Sequence, residues 1–333
     1  MRPSVLATCA TFPDIAARLR AHFDVEDNPD DTVWSPAELI RRLQGKQGVM
    51  STGSERIDAA LLEACPQLKA VCNVGVGYNN VDVAACTARG VLVTNTPDVL
   101  TETTADFGFA LMMATARRIA ESERFLRRGE WTKTGIYDMF VGGDVHGAAL
   151  GILGMGRIGR AIARRGALGF GMRVIYHNRS QLAAEAEAEC GARYVDKATL
   201  LKEADHLVLV LPYSPQSHHA IGAAELAQMK PTATLTNIAR GGIVDDAALA
   251  QALRAGTIAA AGLDVFEGEP AVHPDLLAVP NVVLTPHIGS ASVQTRRAMA
   301  ALTMDNLIAA LGFGPRAGKP PTPVNPEVLA QAR

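Results

Sequence analysis

The sequence lacks the features that mark several large classes of protein. Its 333 residues carry 32 basic and 34 acidic side chains, and no block of lysine or arginine suggests binding to nucleic acid. No apolar run reaches the ~18 residues that a membrane span needs. The five cysteines form no C-x-x-C pair, and their odd number predicts free thiols in a reducing compartment; they are Cys9, Cys65, Cys72, Cys86 and Cys190.

The composition is otherwise that of an ordinary globular protein, with 48% hydrophobic and 20% charged residues. The apolar stretch at the N-terminus is too short for a signal peptide and predicts a first strand, so we expect a cytoplasmic protein. The length favours two domains over a single core. We therefore expect a two-domain protein that binds neither nucleic acid nor membrane.

Short apolar runs alternate with stretches of helical periodicity along most of the chain. Runs at 5–8, 48–51, 68–74 and 91–96 predict the strands of one unit. A second, larger unit is predicted by runs at 149–153, 172–177, 193–195, 206–211, 233–238, 259–265 and 281–285. This alternation is typical of parallel sheets covered on both faces. The predicted fold class is α/β, with two doubly wound parallel-sheet domains of Rossmann-like or flavodoxin-like type.

The segments between and after these units have patterns of their own. Residues 101–128 contain no proline and keep helical spacing, which predicts one long connecting helix. An irregular stretch at 129–147, here called the arm, follows before the strands of the second unit begin. A last helix is predicted at about 291–311, and the proline-rich tail after it shows no core of its own.

The stretch "GMGRIG", residues 154–159, fits the G-x-G-x-x-G pattern of a dinucleotide-binding turn. An apolar strand precedes it and an amphipathic helix follows. In such a turn Gly154 permits the tight bend, Gly156 lets a pyrophosphate approach the backbone, and Gly159 lets helix and strand pack closely. The helix N-terminus then offers N–H groups to the phosphates. The alternative is a tight strand–helix turn that binds no ligand.

The next strand of this unit ends in His177, Asn178, Arg179 and Ser180. NAD-binding units often place an acid here to hold the ribose 2′-hydroxyl. No acid is present, whereas Arg179 can pair with a 2′-phosphate, and Asn178 and Ser180 can add hydrogen bonds. The pattern predicts NADP(H) in preference to NAD(H). The alternative is a solvated turn whose arginine has no ligand.

Three polar side chains follow three further strands of the same predicted sheet. Arg240 can hold a carboxylate with two parallel hydrogen bonds, although for this residue taken alone a surface ion pair with Asp245 or Asp246 is the better explanation. Glu269 precedes a proline and His287 follows the last strand. Taken alone, a histidine is more often a core or surface residue than a catalyst, and a glutamate before a proline is more often an ordinary loop residue. Together they supply an anion clamp, a carboxylate and an imidazole at the edge where a cofactor would bind.

A glycine-rich turn also follows a strand of the first predicted unit. In "CNVGVGYNNVD", Gly75 and Gly77 can bare backbone N–H groups in a nest suited to a carboxylate. A glycine-rich turn without a ligand is nearly as good an explanation. No metal-ligand spacing is visible in the sequence.

Several of these stretches, taken in order, resemble the D-isomer-specific 2-hydroxyacid dehydrogenases. The similarity covers almost the whole chain and is carried by "NVGVGYNNVD", "TPDVLTETTADF", "LGILGMGRIGRAIA", "NIARGGIVDDAAL", "AAGLDVFEGEP" and "TPHIGSAS". Within the family, "GGDVHGAALGILGMGRIG" and the C-terminal "VNP" are similar to the glyoxylate/hydroxypyruvate reductase and 2-ketogluconate reductase branch.

The resemblance implies a specific division of the chain and a set of site residues. It implies a substrate domain of residues 1–99 and 290–333, an inserted NAD(P)-binding domain of residues 100–289, and a homodimer. The implied catalytic residues are Arg240, Glu269 and His287. The implied cofactor contacts are Thr104, Gly154, Met155, Gly156, Arg157, Ile158, Asn178, Arg179, Ser180, Leu211, Pro212, Ser217, Ile238, Ala239, Asp264 and Gly289. The implied substrate contacts are Val74, Gly75, Val76, Gly77, Arg240, His287 and Ser290.

The activity implied by the resemblance is NADPH-dependent reduction of small 2-keto acids to D-2-hydroxy acids. Glyoxylate, hydroxypyruvate and 2-ketogluconate are the expected substrates, and no metal is expected to take part. Two alternatives remain open. Corepressors related to the family keep the fold and the three catalytic side chains but act as cofactor-sensing platforms, and phosphite dehydrogenases use an unusual hydride donor.

Overall fold

A computed structural model describes residues 2–331, and the predicted domain limits at residues 1 and 333 lie outside this range. The chain divides into two compact units. One combines Met1–Leu100 with Ser292–Arg333, and the other is Thr101–Ala291. Within the described residues, no helix is both long and apolar enough to cross a bilayer.

The first unit is a five-stranded parallel sheet in the order β2-β1-β3-β4-β5. Its strands are β1 (Ser4–Ala7), β2 (Asp24–Glu26), β3 (Gly48–Ser51), β4 (Ala70–Asn73) and β5 (Leu92–Thr94). Its helices are α1 (Pro13–His22), α2 (Pro36–Leu43), α3 (Ala59–Ala64), α4 (Val83–Ala88), α13 (Val293–Ala310) and α14 (Glu327–Gln331). The order is that of flavodoxin-like folds.

Two apolar clusters cover the two faces of this sheet. One includes Leu43, Val49 and Val71, and the other brings α1 and α13 onto the opposite face through Leu19 and Leu307. The central strands are buried throughout, as expected for parallel strands covered on both sides. The C-terminal segment is fixed at the edge of this sheet.

The buried side chain of Asn325 is one of the contacts that hold the proline-rich tail against β5. The amide of Asn325 accepts from the backbone N–H of Val93 at 2.7 Å and donates to the carbonyl of Val91 at 3.0 Å. Pro323 forms an antiparallel bridge with Thr94. The tail therefore has no separate core and extends along β5, a contact that its composition does not reveal.

The second unit is a seven-stranded parallel sheet in the order β12-β11-β10-β9-β6-β7-β8. Its strands are β6 (Ala149–Leu153), β7 (Arg173–His177), β8 (Arg193–Tyr194), β9 (His206–Leu209), β10 (Thr234–Asn237), β11 (Ala260–Leu263) and β12 (Val282–Leu284). Its helices are α5 (Thr101–Ala116), α6 (Ile119–Arg127), α7 (Arg157–Arg164), α8 (Ala184–Ala188), α9 (Lys197–Glu203), α10 (Ala223–Leu226), α11 (Asp246–Ala255) and α12 (Pro274–Ala278). A π-helical turn, Arg165–Gly169, follows α7.

The direction of strand order reverses between β6 and β9. In open parallel sheets such a switch point opens a crevice at the carboxyl ends of the strands, where ligands bind. Two apolar clusters fill the faces of the sheet, one around Ile152 and Met112 and the other around Leu235 and Leu249. The α/β class with two parallel-sheet domains is confirmed.

The prediction of one continuous helix over residues 101–128 was wrong. The helix ends at Ala116, and a second one begins at Ile119. Arg118 between them is left-handed (φ +53°), and its guanidinium lies 5.2 Å from the centre of the Phe140 ring. The arm also contacts the C-terminal end of α5, where the N–H of Gly143 donates to the carbonyl of Ala116 at 3.0 Å. Contacts with the arm therefore accompany the break.

Candidate active site

The glycine-rich turn between β6 and α7 has the shape that a dinucleotide needs. Gly154 has φ +103°, and a Cβ there would come within 2.7 Å of the backbone N of Leu211. A Cβ on Gly159 would come within 2.4 Å of the Gly154 carbonyl oxygen. A Cβ on Gly156, by contrast, would meet nothing within 4 Å. The first and third glycines are thus required by the fold, and the second leaves open space where a pyrophosphate would approach.

The N-terminus of α7 adds to this cradle. Gly156 is the N-cap and makes no side-chain cap hydrogen bond, and Arg157 and Ile158 form the first turn. The Oδ1 atom of Asn178 accepts from the backbone N–H of Met155 at 2.7 Å. This bond ties the turn to the end of β7. Asn178, predicted as a phosphate donor, therefore also holds the turn through its side-chain oxygen.

The end of β7 presents donors and no acid. The Nδ1 atom of His177 lies 2.8 Å from the carbonyl oxygen of Val195, and its ring stacks on Tyr194. Arg179 and Ser180 are exposed at the surface. This arrangement leaves a guanidinium and a hydroxyl at the position where a ribose 2′-substituent lies in dinucleotide-binding folds.

Arg240 lies just beyond the end of β10, in a loop that is held tightly. The Asn237 side chain accepts from the N–H of Ala239 at 3.0 Å and donates to the carbonyl of Arg240 at 3.2 Å. The next residue must be glycine, because a Cβ on Gly241 would lie 1.7 Å from the carbonyl oxygen of Phe266. Burial lowers the pKa of the Arg240 guanidinium, and the Glu269 carboxylate opposes that shift. An arginine remains charged under such conditions.

Glu269 and His287 form a hydrogen-bonded pair. Oε2 of Glu269 lies 2.7 Å from Nδ1 of His287, and Oε1 accepts from the N–H of Phe266 at 2.9 Å. Burial raises the pKa of Glu269. The hydrogen bond to His287 and the charge of that residue lower it, as do the backbone hydrogen bond from Phe266 and the charge of Arg240. The net effect is a pKa below the ordinary value. The side chains are 33% and 47% exposed, so the pair is open to a substrate.

The loop that carries His287 is organised by a buried carboxylate. Oδ1 of Asp264 accepts from Ile288 N at 2.9 Å and from Thr285 Oγ1 at 2.8 Å, and Oδ2 accepts from Gly289 N at 2.8 Å. Burial raises the pKa of Asp264, and these hydrogen bonds oppose that rise. Asp264 was predicted only as a cofactor contact. The structure shows that it also binds the backbone directly after His287 and the side chain of Thr285 before it, and that His287 is left-handed (φ +52°).

The other predicted cofactor contacts lie within the second unit. Thr104 is buried, its hydroxyl has no hydrogen-bond partner within residues 2–331, and its methyl group would lie 3.5 Å from a Cβ on Gly289. Leu211 and Pro212 follow β9, and the Ser217 hydroxyl donates to the Pro212 carbonyl at 3.0 Å. Ile238 and Ala239 follow β10, next to Arg240, and are buried.

The predicted substrate contacts lie in both units. Ser290 is in the second unit, three residues after His287. Val74, Gly75, Val76 and Gly77 follow β4 of the first unit, where the side-chain amides of Asn73 and Asn95 donate to three of their carbonyls at 2.8–3.2 Å. Neither glycine has a positive φ, so this turn does not need glycine for a left-handed backbone.

Comparison with known proteins identifies the family. Residues 109–289 match the description "D-isomer specific 2-hydroxyacid dehydrogenase, NAD binding domain". The chain belongs to the D-isomer-specific 2-hydroxyacid dehydrogenases. It is 48% identical over 333 residues to the glyoxylate reductase of Thermococcus onnurineus, covering 99% of this chain and 98% of that one. It is 49% identical over 315 residues to the glyoxylate/hydroxypyruvate reductase B of Klebsiella pneumoniae strain 342, covering 93% and 96%.

A solved structure of a family member is similar throughout. The NADPH-dependent glyoxylate/hydroxypyruvate reductase of Sinorhizobium meliloti, in complex with NADP and malonate, has a TM-score of 0.84 and 37% identity, covering 97% of each chain. The predicted family is thus confirmed, and this chain is an oxidoreductase with a nicotinamide-dinucleotide-binding domain. The bent Gly154 and the open space at Gly156 fit that cofactor.

Two features of this dehydrogenase site could not be predicted from the sequence. One is the hydrogen bond between Asn178 and Met155, and the other is the hold of Asp264 on the backbone around His287. Both involve residues more than twenty positions apart. The signal in the sequence was that Asn178 and Asp264 are polar residues directly after the strands β7 and β11.

Proposed function

We propose that this dehydrogenase reduces glyoxylate and hydroxypyruvate to the corresponding D-2-hydroxy acids with NADPH, and we include 2-ketogluconate as a third candidate substrate. The observation that carries the proposal is the Glu269–His287 pair with Arg240 coupled to it electrostatically. A cation and an acid–base pair are what reduction of a 2-keto acid needs. The names of the relatives support the choice of substrate.

Bound NADPH supplies the hydride that reaches the carbonyl carbon of the keto acid. The residues that would hold it are those of the glycine-rich turn, with Arg179 and Ser180 on the 2′-phosphate. Arg240 binds the substrate carboxylate through two N–H groups, and its charge polarises the adjacent carbonyl.

His287 completes the reaction by donating a proton to the developing alkoxide. A carboxylate can only accept, so Nδ1 of His287 carries the proton in its 2.7 Å bond to Glu269. Nε2 is therefore the nitrogen that transfers a proton to the substrate oxygen. Glu269 stabilises the charged imidazolium before the transfer. The products are the hydroxy acid, the oxidised cofactor and neutral His287.

Further parts of the proposal rest on the sequence and the resemblance. They are a homodimer, a cytoplasmic location, NADP(H) in preference to NAD(H), a substrate-binding role for the first unit, and substrate contacts from Val74, Gly75, Val76, Gly77 and Ser290. Exposed apolar side chains on and near the arm support the dimer, among them Ile136 and Tyr137, which are 83% and 92% exposed.

A panel of keto acids tests the proposed function. Glyoxylate, hydroxypyruvate and 2-ketogluconate are each offered with NADPH and with NADH, and the loss of reduced-cofactor absorbance is followed. We expect turnover of glyoxylate and hydroxypyruvate, with D-glycerate formed from the latter. Absence of turnover with all three would contradict the proposal, and phosphite-dependent reduction of NADP⁺ would assign a different hydride donor.

A further inference from the structure

Two adjacent histidines and a glutamate from a distant segment meet on the surface of the second unit. Potential ligand atoms of His218, His219 and Glu267 all lie within 4.8 Å of one another. Nε2 of His219 lies 3.0 Å from Oε2 of Glu267, although the two residues are 48 positions apart. The sequence shows no metal-ligand spacing here, because only the fold brings Glu267 to the two histidines.

The backbone places both imidazoles on the same side of the chain. Adjacent residues of an extended segment point in opposite directions. His219 is left-handed (φ +49°), and its ring lies 3.9 Å from the ring of His218 with only 23° between their planes. Positive φ is uncommon outside glycine, and residues held in such conformations cluster at functional sites.

Neighbouring side chains orient the two rings. Oδ2 of Asp245 lies 3.8 Å from Nδ1 of His219, the ring nitrogen that does not face Glu267; this is an ion-pair distance and too long for a hydrogen bond. The hydroxyl of Tyr213 lies 3.2 Å from Nδ1 of His218. A metal-binding histidine usually donates a hydrogen bond from its second ring nitrogen, and the Tyr213 hydroxyl is within reach to accept one from His218.

We propose that His218, His219 and Glu267 bind a divalent transition-metal ion of the zinc class. Two imidazoles and a carboxylate suit Zn²⁺ and leave a fourth position for water. Ligand atoms around tetrahedral zinc lie about 3.4 Å apart, which follows from Zn–N distances of ~2.0–2.1 Å. Exposed side chains reach that spacing by small rotations. The ion takes the place of the proton on Nε2 of His219. In the neutral imidazole that proton moves to Nδ1, and in the imidazolium it passes to the buffer.

The bound ion would join two loops that carry the proposed catalytic residues. The N–H of His219 donates to the carbonyl of Gly242 at 2.7 Å, two residues after Arg240. Glu267 precedes Glu269 by two residues. The proposal does not depend on the reductase activity, because its evidence is the side-chain cluster alone.

Isothermal titration of the full-length protein with ZnCl₂ in chelator-free buffer tests the site. The variants are His218→Gln, His219→Asn and Glu267→Gln, since asparagine tolerates the left-handed backbone at position 219. His146→Gln, which removes an exposed histidine elsewhere in the second unit, is the matched control. We expect one high-affinity site per chain in the wild type and the control, and at least tenfold weaker binding in each of the three variants.

The melting temperature provides a second test of metal binding that does not depend on enzymatic activity. Zn²⁺ should raise the melting temperature of the wild type and of His146→Gln, and should leave that of Glu267→Gln almost unchanged. Circular dichroism without metal verifies that each variant is folded. Absence of saturable binding by the wild type would overturn the proposal. Binding that all three variants retain would also overturn it, because the ion would then lie elsewhere, for instance on a free cysteine.

Discussion

Oε2 of Glu269 lies 2.7 Å from Nδ1 of His287, while the other oxygen of the same carboxylate accepts a backbone hydrogen bond from Phe266. One carboxylate oxygen is therefore fixed by the backbone, and the other positions the imidazole of His287. This arrangement selects the tautomer of the neutral histidine that carries its proton on Nδ1, and it places a carboxylate beside the imidazole. The first prediction follows from that contact.

Replacing Glu269 by glutamine should move the alkaline limb of keto-acid reduction to lower pH. Reduction requires protonated His287, and the neutral amide no longer stabilises its charge. In the wild type the pKa of Glu269 is lowered. The carboxylate therefore stays ionised at a pH below the ordinary glutamate pKa of about 4.3. The measurement is kcat/KM for glyoxylate against pH.

Glu185→Gln is the matched control, because it removes an exposed carboxylate on α8 and should leave the profile in place. Oxidation of the hydroxy acid requires neutral His287, so its rate should rise with pH instead. A Glu269→Gln profile that coincides with the wild type would remove Glu269 from the acid–base pair.

Replacing Arg240 by lysine should lower kcat/KM for keto acids strongly and change NADPH affinity little. Lysine keeps the charge but loses the planar fork that binds a carboxylate through two hydrogen bonds. Arg254→Lys, on α11, is the control for the substitution itself. If cofactor affinity fell while keto-acid kinetics survived, Arg240 would be a cofactor-binding residue.

Replacing Arg179 by alanine should remove most of the preference for NADPH. A charge-assisted hydrogen bond contributes ~1.5–3 kcal/mol, or about ten- to a hundredfold in affinity. We expect the KM for NADPH to rise by that factor while NADH kinetics change little. Adding His177→Asp should move the preference toward NADH, because an acid binds the ribose hydroxyls and repels a 2′-phosphate.

Arg173→Ala is the matched control, because it removes an exposed arginine at the other end of β7. An unchanged ratio of NADPH to NADH efficiency in Arg179→Ala would show that this residue does not discriminate between the cofactors. The same conclusion would follow if the wild type used both cofactors equally.

The protein should be a dimer in solution. Trp131, Ile136, Tyr137 and Val141 are 58–92% exposed and lie on one arm of the second unit. A two-fold partner would cover them, and closed two-fold symmetry is the commonest arrangement. Light scattering at assay concentration should give about 70 kDa, twice the chain mass of 35.1 kDa. A fully active species with the mass of one chain would contradict this expectation.

The sequence predicted the sheet of the second unit well because buried parallel strands are continuous apolar runs. The run at 149–153 is β6 without a change of limits, and the run at 281–285 contains β12. Strand β2 gave no such signal, since its three residues, Asp24–Glu26, lie at a sheet edge and two of them are acidic.

Contacts between distant residues explain what could not be predicted. The break at Arg118 has no proline or glycine to mark it and involves contacts with the arm. Asn178 could be assigned as a possible phosphate donor from its position, but its bond to Met155 depends on the register of β6 against β7. Arg240, Glu269 and His287 were found from their common place after strands, whereas the distances between them come only from the fold.

The role of His287 as the proton donor is tested most directly by the rate of glyoxylate reduction at saturating NADPH. The rate of His287→Asn is compared with that of the wild type and of His146→Asn. Loss of the general acid should lower kcat ~10²–10⁴-fold, and the dissociation constant for NADPH should be almost unchanged. The control should retain the wild-type rate. Near-normal turnover by His287→Asn would show that another group donates the proton, and would contradict the mechanism.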